Sequence, residues 1–138
     1  MKNLMKNRIT LLVMFLLIGA IASCSTQGKT NEVEAPKVNI HEATFFSNQA
    51  AIKQHVAYGS DLNIKDDYGS TPLNIASTFG RTEIAKLLIE GGADVNATSA
   101  DGSTALHTAS FFCQTEIVEA LLKAGVDTKM RSSYGSTA

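Results

Sequence analysis

Polar and apolar residues divide the chain into three stretches of different character. From Ile9 to Ala22 the residues are apolar apart from Thr10, with Gly19 the one small interruption, and from Ser25 to Pro36 they are polar with no large aliphatic run. From Val38 onward, apolar positions recur at helical spacing. Ile84, Leu87 and Leu88 fall at i, i+3 and i+4 and predict one buried stripe on a helix. The helix before it is predicted to begin at Thr71. The threonine hydroxyl can cap the free amides there, and Pro72 fits the first turn, where no N–H partner is needed. Gly80 is placed to close this first helix, and Gly92 the second.

The helical pattern itself repeats. Gly69, Gly102 and Gly135 are evenly spaced, and Thr71, Thr104 and Thr137 keep the same step, as do Ala43, Ala76 and Ala109. So do Gly59, Gly92 and Gly125, and Asp61, Asp94 and Asp127. Five registers with one period define a repeat protein, in which each helical hairpin buries its apolar face only against its neighbours. Gly69 and its equivalents supply a positive φ at a loop tip, and the alanines allow paired helices to approach closely.

One full unit runs from Asp67 to Asn96. Its opening Gly69-Ser-Thr-Pro-Leu73 and its close Gly92-Ala-Asp-Val-Asn96 resemble the ankyrin repeat, and the resemblance extends over about residues 38 to 138. It implies an all-α helix-turn-helix solenoid with hairpin-type loops. The units expected are a divergent capping repeat at 38–66, repeats at 67–99 and 100–132, and the start of a further repeat at 133–138. Gln54 and His55 stand where the second unit has Leu87 and Leu88, which predicts an outer face in contact with water. Cys113 stands where Gly80 closes the first helix, a substitution expected to cost about 1 kcal/mol if the positive φ is kept. The chain ends shortly after a fourth opening. A longer protein is therefore expected, with Ile117, Leu121 and Leu122 forming an outer apolar face that lacks a neighbour.

The N-terminal stretch up to Cys24 reads as an address. Lys2, Lys6 and Arg8 precede the apolar run, and no acidic residue occurs before Glu32. The run from Ile9 to Ala22 is shorter than the roughly 20 residues needed to span a bilayer, and fits the span of about 7 to 15 typical of a secretory signal. It ends in Ile21-Ala22-Ser23-Cys24, which resembles the lipobox of bacterial lipoproteins. The resemblance implies a signal peptide at 1–23, lipidation of Cys24, and a flexible linker at 24–37 whose polar composition cannot repay the entropy of ordering. The expected location is the bacterial cell envelope, lipid-anchored to a membrane and facing the periplasm or cell surface. An ordinary signal peptide, or an uncleaved anchor, with Cys24 incidental is the competing reading.

Composition narrows the function. With Lys2, Lys6 and Arg8 set aside, nine basic residues face 13 acidic ones, and no basic cluster exists to neutralise phosphates, so a nucleic-acid partner is not expected. Neither cysteine belongs to a CxxC pair, and the three histidines show no ligand spacing, so no metal or other cofactor is expected. No nucleophile elbow, phosphate loop or HExxH motif occurs. The pair His107 and Cys113 is better explained by the structural histidine position of the repeat, so no enzyme and no small-molecule substrate is expected.

Binding has better candidates. Phe46, Phe79 and Phe112 recur at the repeat period with Phe45 and Phe111 beside them, at the ends of the first helices, where proteins of this family touch their partners. Thr78 sits in the same place, and Tyr68 and Tyr134 occupy loop tips. Asp67, Ser70, Asp101 and Ser103 would form a polar rim, or only solvated turns. Exposed aromatics would anchor a protein partner; the alternative is that the rings pack between helices. The expected role is a monomeric, membrane-tethered protein-interaction module. Two others fit the same residues: an envelope immunity or antitoxin-like inhibitor of a toxic enzyme, and an accessory domain of an enzyme continuing beyond residue 138.

Overall fold

The computed structural model describes residues 33–138, and the signal segment and Cys24 lie outside that range. Six helices follow in order: α1 (Ile40–Phe45), α2 (Gln49–Tyr58), α3 (Pro72–Thr78), α4 (Thr82–Glu90), α5 (Ala105–Phe111) and α6 (Thr115–Lys123). They form three hairpins, α1 with α2, α3 with α4 and α5 with α6. The first helices stack as one row and the second helices as another. No strand occurs among the described residues, so the fold is an all-α repeat. The loops between hairpins make only the isolated antiparallel bridges Thr98 to Thr104 and Arg131 to Thr137.

Each first helix begins at a capping side chain. Asn39 accepts from the His41 amide, Thr71 from the Asn74 amide and Thr104 from the His107 amide, which satisfies donors a helix start leaves free. Both threonines are buried, so the caps also fix the hairpin against its neighbour. The helices end where the backbone turns left-handed. Gly80 does so at φ 62°, and Ser47 and Cys113 take the same place at 57° and 55° without being glycine.

The core lies between the two rows. Ala43, Ala76 and Ala109 are wholly buried, and any larger side chain there would push the paired helices apart. Ile84 and Leu88 fill the space behind α4, with Leu87 only partly covered. Ile117 and Leu121 are wholly buried as well, contrary to the expectation that they form an open outer face; α4 and α5 cover them, and Leu122 alone of the three is half exposed.

The first hairpin departs from expectation too. His55 is buried rather than facing water, because its ring nitrogens meet the Ser60 hydroxyl at 3.0 Å and the Val38 carbonyl at 2.7 Å. Gln54 donates to the Glu34 carbonyl at 3.0 Å. Two polar side chains thus hold residues 34–38 against α2, in the place where the second hairpin has Leu87 and Leu88.

The loops form fingers with one internal design. Ser70, Ser103 and Ser136 carbonyls accept from the amides of Asp66, Ser99 and Ser132, and each turn is closed by a glycine amide. Gly69 is obligatory on two counts: its φ is 76°, and a Cβ there would come within 2.5 Å of the Ala100 Cβ. Adjacent fingers therefore lie side by side in direct contact.

Candidate functional site

The fingers together with α3 and α5 border a groove of about 830 Å³. The hydrogen bonds that shape it run from one hairpin to the next. Asn74 on α3 donates to the Ser103 carbonyl of the following finger at 3.1 Å, and His107 on α5 reaches the Ser136 carbonyl at 3.0 Å. His107 also meets the Thr104 hydroxyl at 2.8 Å, so both its ring nitrogens are engaged and neither serves Cys113. The pair is structural on one side and a lone exposed thiol on the other.

Eight of the residues expected to bind a partner border this groove. Tyr68, Ser70, Asp101, Ser103 and Tyr134 come from the fingers, and Thr78, Phe111 and Phe112 from the helix ends. The two tyrosines are 87% and 82% exposed and Phe111 is 81% exposed, so these rings are free for contact. Phe45, Phe46, Phe79 and Asp67 lie outside the groove wall.

The phenylalanines fall into two groups. Phe45 makes edge-to-face contacts with Phe46, at 5.1 Å between centroids, and with Phe79 of the next hairpin, at 4.8 Å. Phe111 and Phe112 pair with each other at 5.1 Å. Such contacts are the favoured ring geometry, and Arg81 adds a bond from its Nε to the Phe45 carbonyl. Packing and exposure coexist: Phe45 and Phe79 join two hairpins yet remain 40% and 48% exposed. The repeat period located the rings, but their mutual contact depends on side-chain direction, which the period does not carry.

Asn74, Thr108 and Ser110 also line the groove and were not singled out from the sequence. Small polar residues near a helix end leave no distinctive pattern. Asp101 is the groove's ionised group. The Ser99 hydroxyl, and then the Ser103 amide, hold its carboxyl below the usual carboxylate range by hydrogen bonding to the charged form. Among the described residues no cluster of three or more His, Cys, Asp or Glu is placed to hold a metal ion. A second depression, about 420 Å³, lies on the outer helices among Lys86, Glu90, Glu116, Glu119 and Lys123. Its charges are of both signs, and the Lys86 ammonium is engaged by Glu83, whose hydrogen bond and charge raise its pKa.

The family model for ankyrin repeats in three copies matches residues 40–132, more than half of the chain. The chain belongs to the ankyrin-repeat family. Its three ankyrin units are the three hairpins, and the fingers with α3 and α5 form the groove. Curated proteins similar to this ankyrin chain include protein phosphatase 1 regulatory subunit 27 from Homo sapiens, 44% identical over 50 residues, and from Mus musculus, 43% identical over 50 residues. Those stretches cover 36% of this chain and 32% of each relative, so the chain spans about a third of the relatives it matches. Ankyrin architecture of this kind is a protein-interaction module.

Proposed function

We propose that this chain is a docking protein tethered to a membrane of the bacterial envelope, which captures a partner protein in the groove between its fingers and first helices. The single observation that carries the docking role is the groove itself. It is wide, built on rigid helices, and bordered by three aromatic rings that are more than four-fifths exposed. Burial of such rings supplies the bulk of the energy in protein interfaces. The regulatory role in the names of the mammalian relatives supports the same class, a protein that acts on another by binding it.

The tether rests on the sequence alone: a charged start, a short apolar run and the Ile21-Ala22-Ser23-Cys24 junction. Lipid chains on Cys24 would hold the repeats at the membrane, since two acyl chains suffice for stable anchoring. Metabolic labelling with a palmitate analogue tests this part. Cys24→Ala should abolish the label, and a label that persists would refute the anchor.

The docking role is tested by crosslinking in cells followed by mass spectrometry, comparing the parent chain with a Tyr68→Ala/Phe111→Ala variant. Both side chains are exposed, so the variant should fold as before while its specific crosslinks disappear. Crosslinks of unchanged identity and yield would remove the groove from the account.

A further inference from the structure

Fingers that border the groove carry Tyr68, Asp101 and Tyr134 at one register position, each a single repeat from the next. The fingers touch in sequence. Gly69 lies against Ala100, and the Ser133 amide donates to the Asp101 carbonyl at 3.0 Å. Asp101 therefore sits on the finger between those that carry the two exposed tyrosines. Among the described residues lining the groove it is the one side-chain carboxylate, and no Lys or Arg joins it.

We propose that this row receives an arginine or lysine side chain of a protein partner, whose cation pairs with the Asp101 carboxylate between Tyr68 and Tyr134. The proposal rests on the docking role stated above and narrows it to partners that present a basic side chain. Tyrosine faces attract cations, and a carboxylate beside them supplies the counter-charge. An acidic segment would meet Asp101 with no cation in the groove to balance it. A purely apolar one would strip water from the carboxylate and return nothing.

In its own finger the carboxylate takes the closing role that Asp66 plays one repeat earlier. In the finger before, Asp66 accepts from the Tyr68 and Ser70 amides at 3.0 and 2.8 Å. In the finger after, Ser132 and Ser136 meet through their hydroxyls at 2.9 Å without any carboxylate at that turn. The middle finger has Ser99 in the place of Asp66, and its acid is moved two positions along, to the register of the tyrosines. There Oδ1 accepts from the Ser99 hydroxyl at 2.5 Å and the Ser103 amide at 3.1 Å, while Oδ2 accepts from the Ser103 hydroxyl at 2.9 Å. Those bonds fix the orientation of the group and leave Oδ2 with an unused lone pair. Its depressed pKa keeps the carboxylate charged at neutral pH.

The test uses the full chain in detergent micelles and a display library of random dodecapeptides. Selected peptides are then titrated by fluorescence anisotropy. The expected result is enrichment of peptides sharing one Arg or Lys. Their Kd should rise about tenfold when that residue becomes Gln, and by a similar factor in Asp101→Asn, as for loss of one charge-assisted contact beside aromatic faces. The two changes should not add, since each removes the same pair. Tyr68→Ala and Tyr134→Ala should weaken the Arg or Lys peptide more than its Gln version, a readout that stands even if Asp101→Asn disturbs the finger. Enriched peptides that lack a basic residue but are lost in the tyrosine variants would overturn the proposal and leave the docking role standing. Peptides that bind every groove variant equally would overturn both.

Discussion

The first and third hairpins fill their second helices by opposite chemistry. On α2, at the positions that carry Leu87 and Leu88 on α4, Gln54 and His55 reach the main-chain carbonyls of Glu34 and Val38. On α6, Leu121 is wholly buried while Leu122 beside it is half exposed. On α2, polar side chains hold a covering stretch of chain in place, and on α6 one leucine packs inward while the next stands half in water. A repeat scaffold tolerates either solution, because each hairpin needs only to satisfy its immediate neighbour. The difference teaches that a polar residue at a core register does not mark a solvent-facing surface when a carbonyl is within reach.

Substitutions along these registers sharpen the contrast. Leu88→Ala, between both solutions in the central hairpin, should cost about 2 to 5 kcal/mol in chemical denaturation, since a wholly buried leucine leaves a cavity. A loss under about 1 kcal/mol would mean the hairpins unfold independently. His55→Ala should cost roughly 1 to 3 kcal/mol, by leaving the Val38 carbonyl covered and unpaired. Amide exchange at residues 34–38 should rise at the same time, and unchanged protection there would show that the histidine does not hold the segment. Cys113→Gly should stabilise the third hairpin by up to about 1 kcal/mol, because the left-handed backbone at 55° strains any residue with a Cβ. A lower melting temperature in that variant would place the thiol in a packing role. Leu122→Ala should change stability by less than about 0.5 kcal/mol, as expected of a residue half in water.

The repeat was legible in the sequence because its fixed residues answer to backbone geometry. Positive φ at Gly69, capping at Thr71 and close approach at Ala76 each admit few residue types, so a single period shows through at once. What escaped were contacts between side chains and remote carbonyls. His55 meets Val38, 17 residues away, and Asn74 meets Ser103, 29 away; a carbonyl belongs to every residue and leaves no trace in composition. Eight groove residues lie at the finger tips and helix ends to which the family resemblance points, whereas Asn74, Thr108 and Ser110 carry no such mark. The split of the phenylalanines was not legible, since the edge-to-face contact of Phe45 with Phe79 is decided by rotamers.

The cross-links from Asn74 and His107 to the next finger carry one more implication. Floor and wall of the cleft are pinned together before anything enters, so the receptor contributes little ordering cost of its own on complex formation. That cost falls on whatever arrives. A stiff loop whose shape already matches should therefore be held longer than a floppy tail of identical composition.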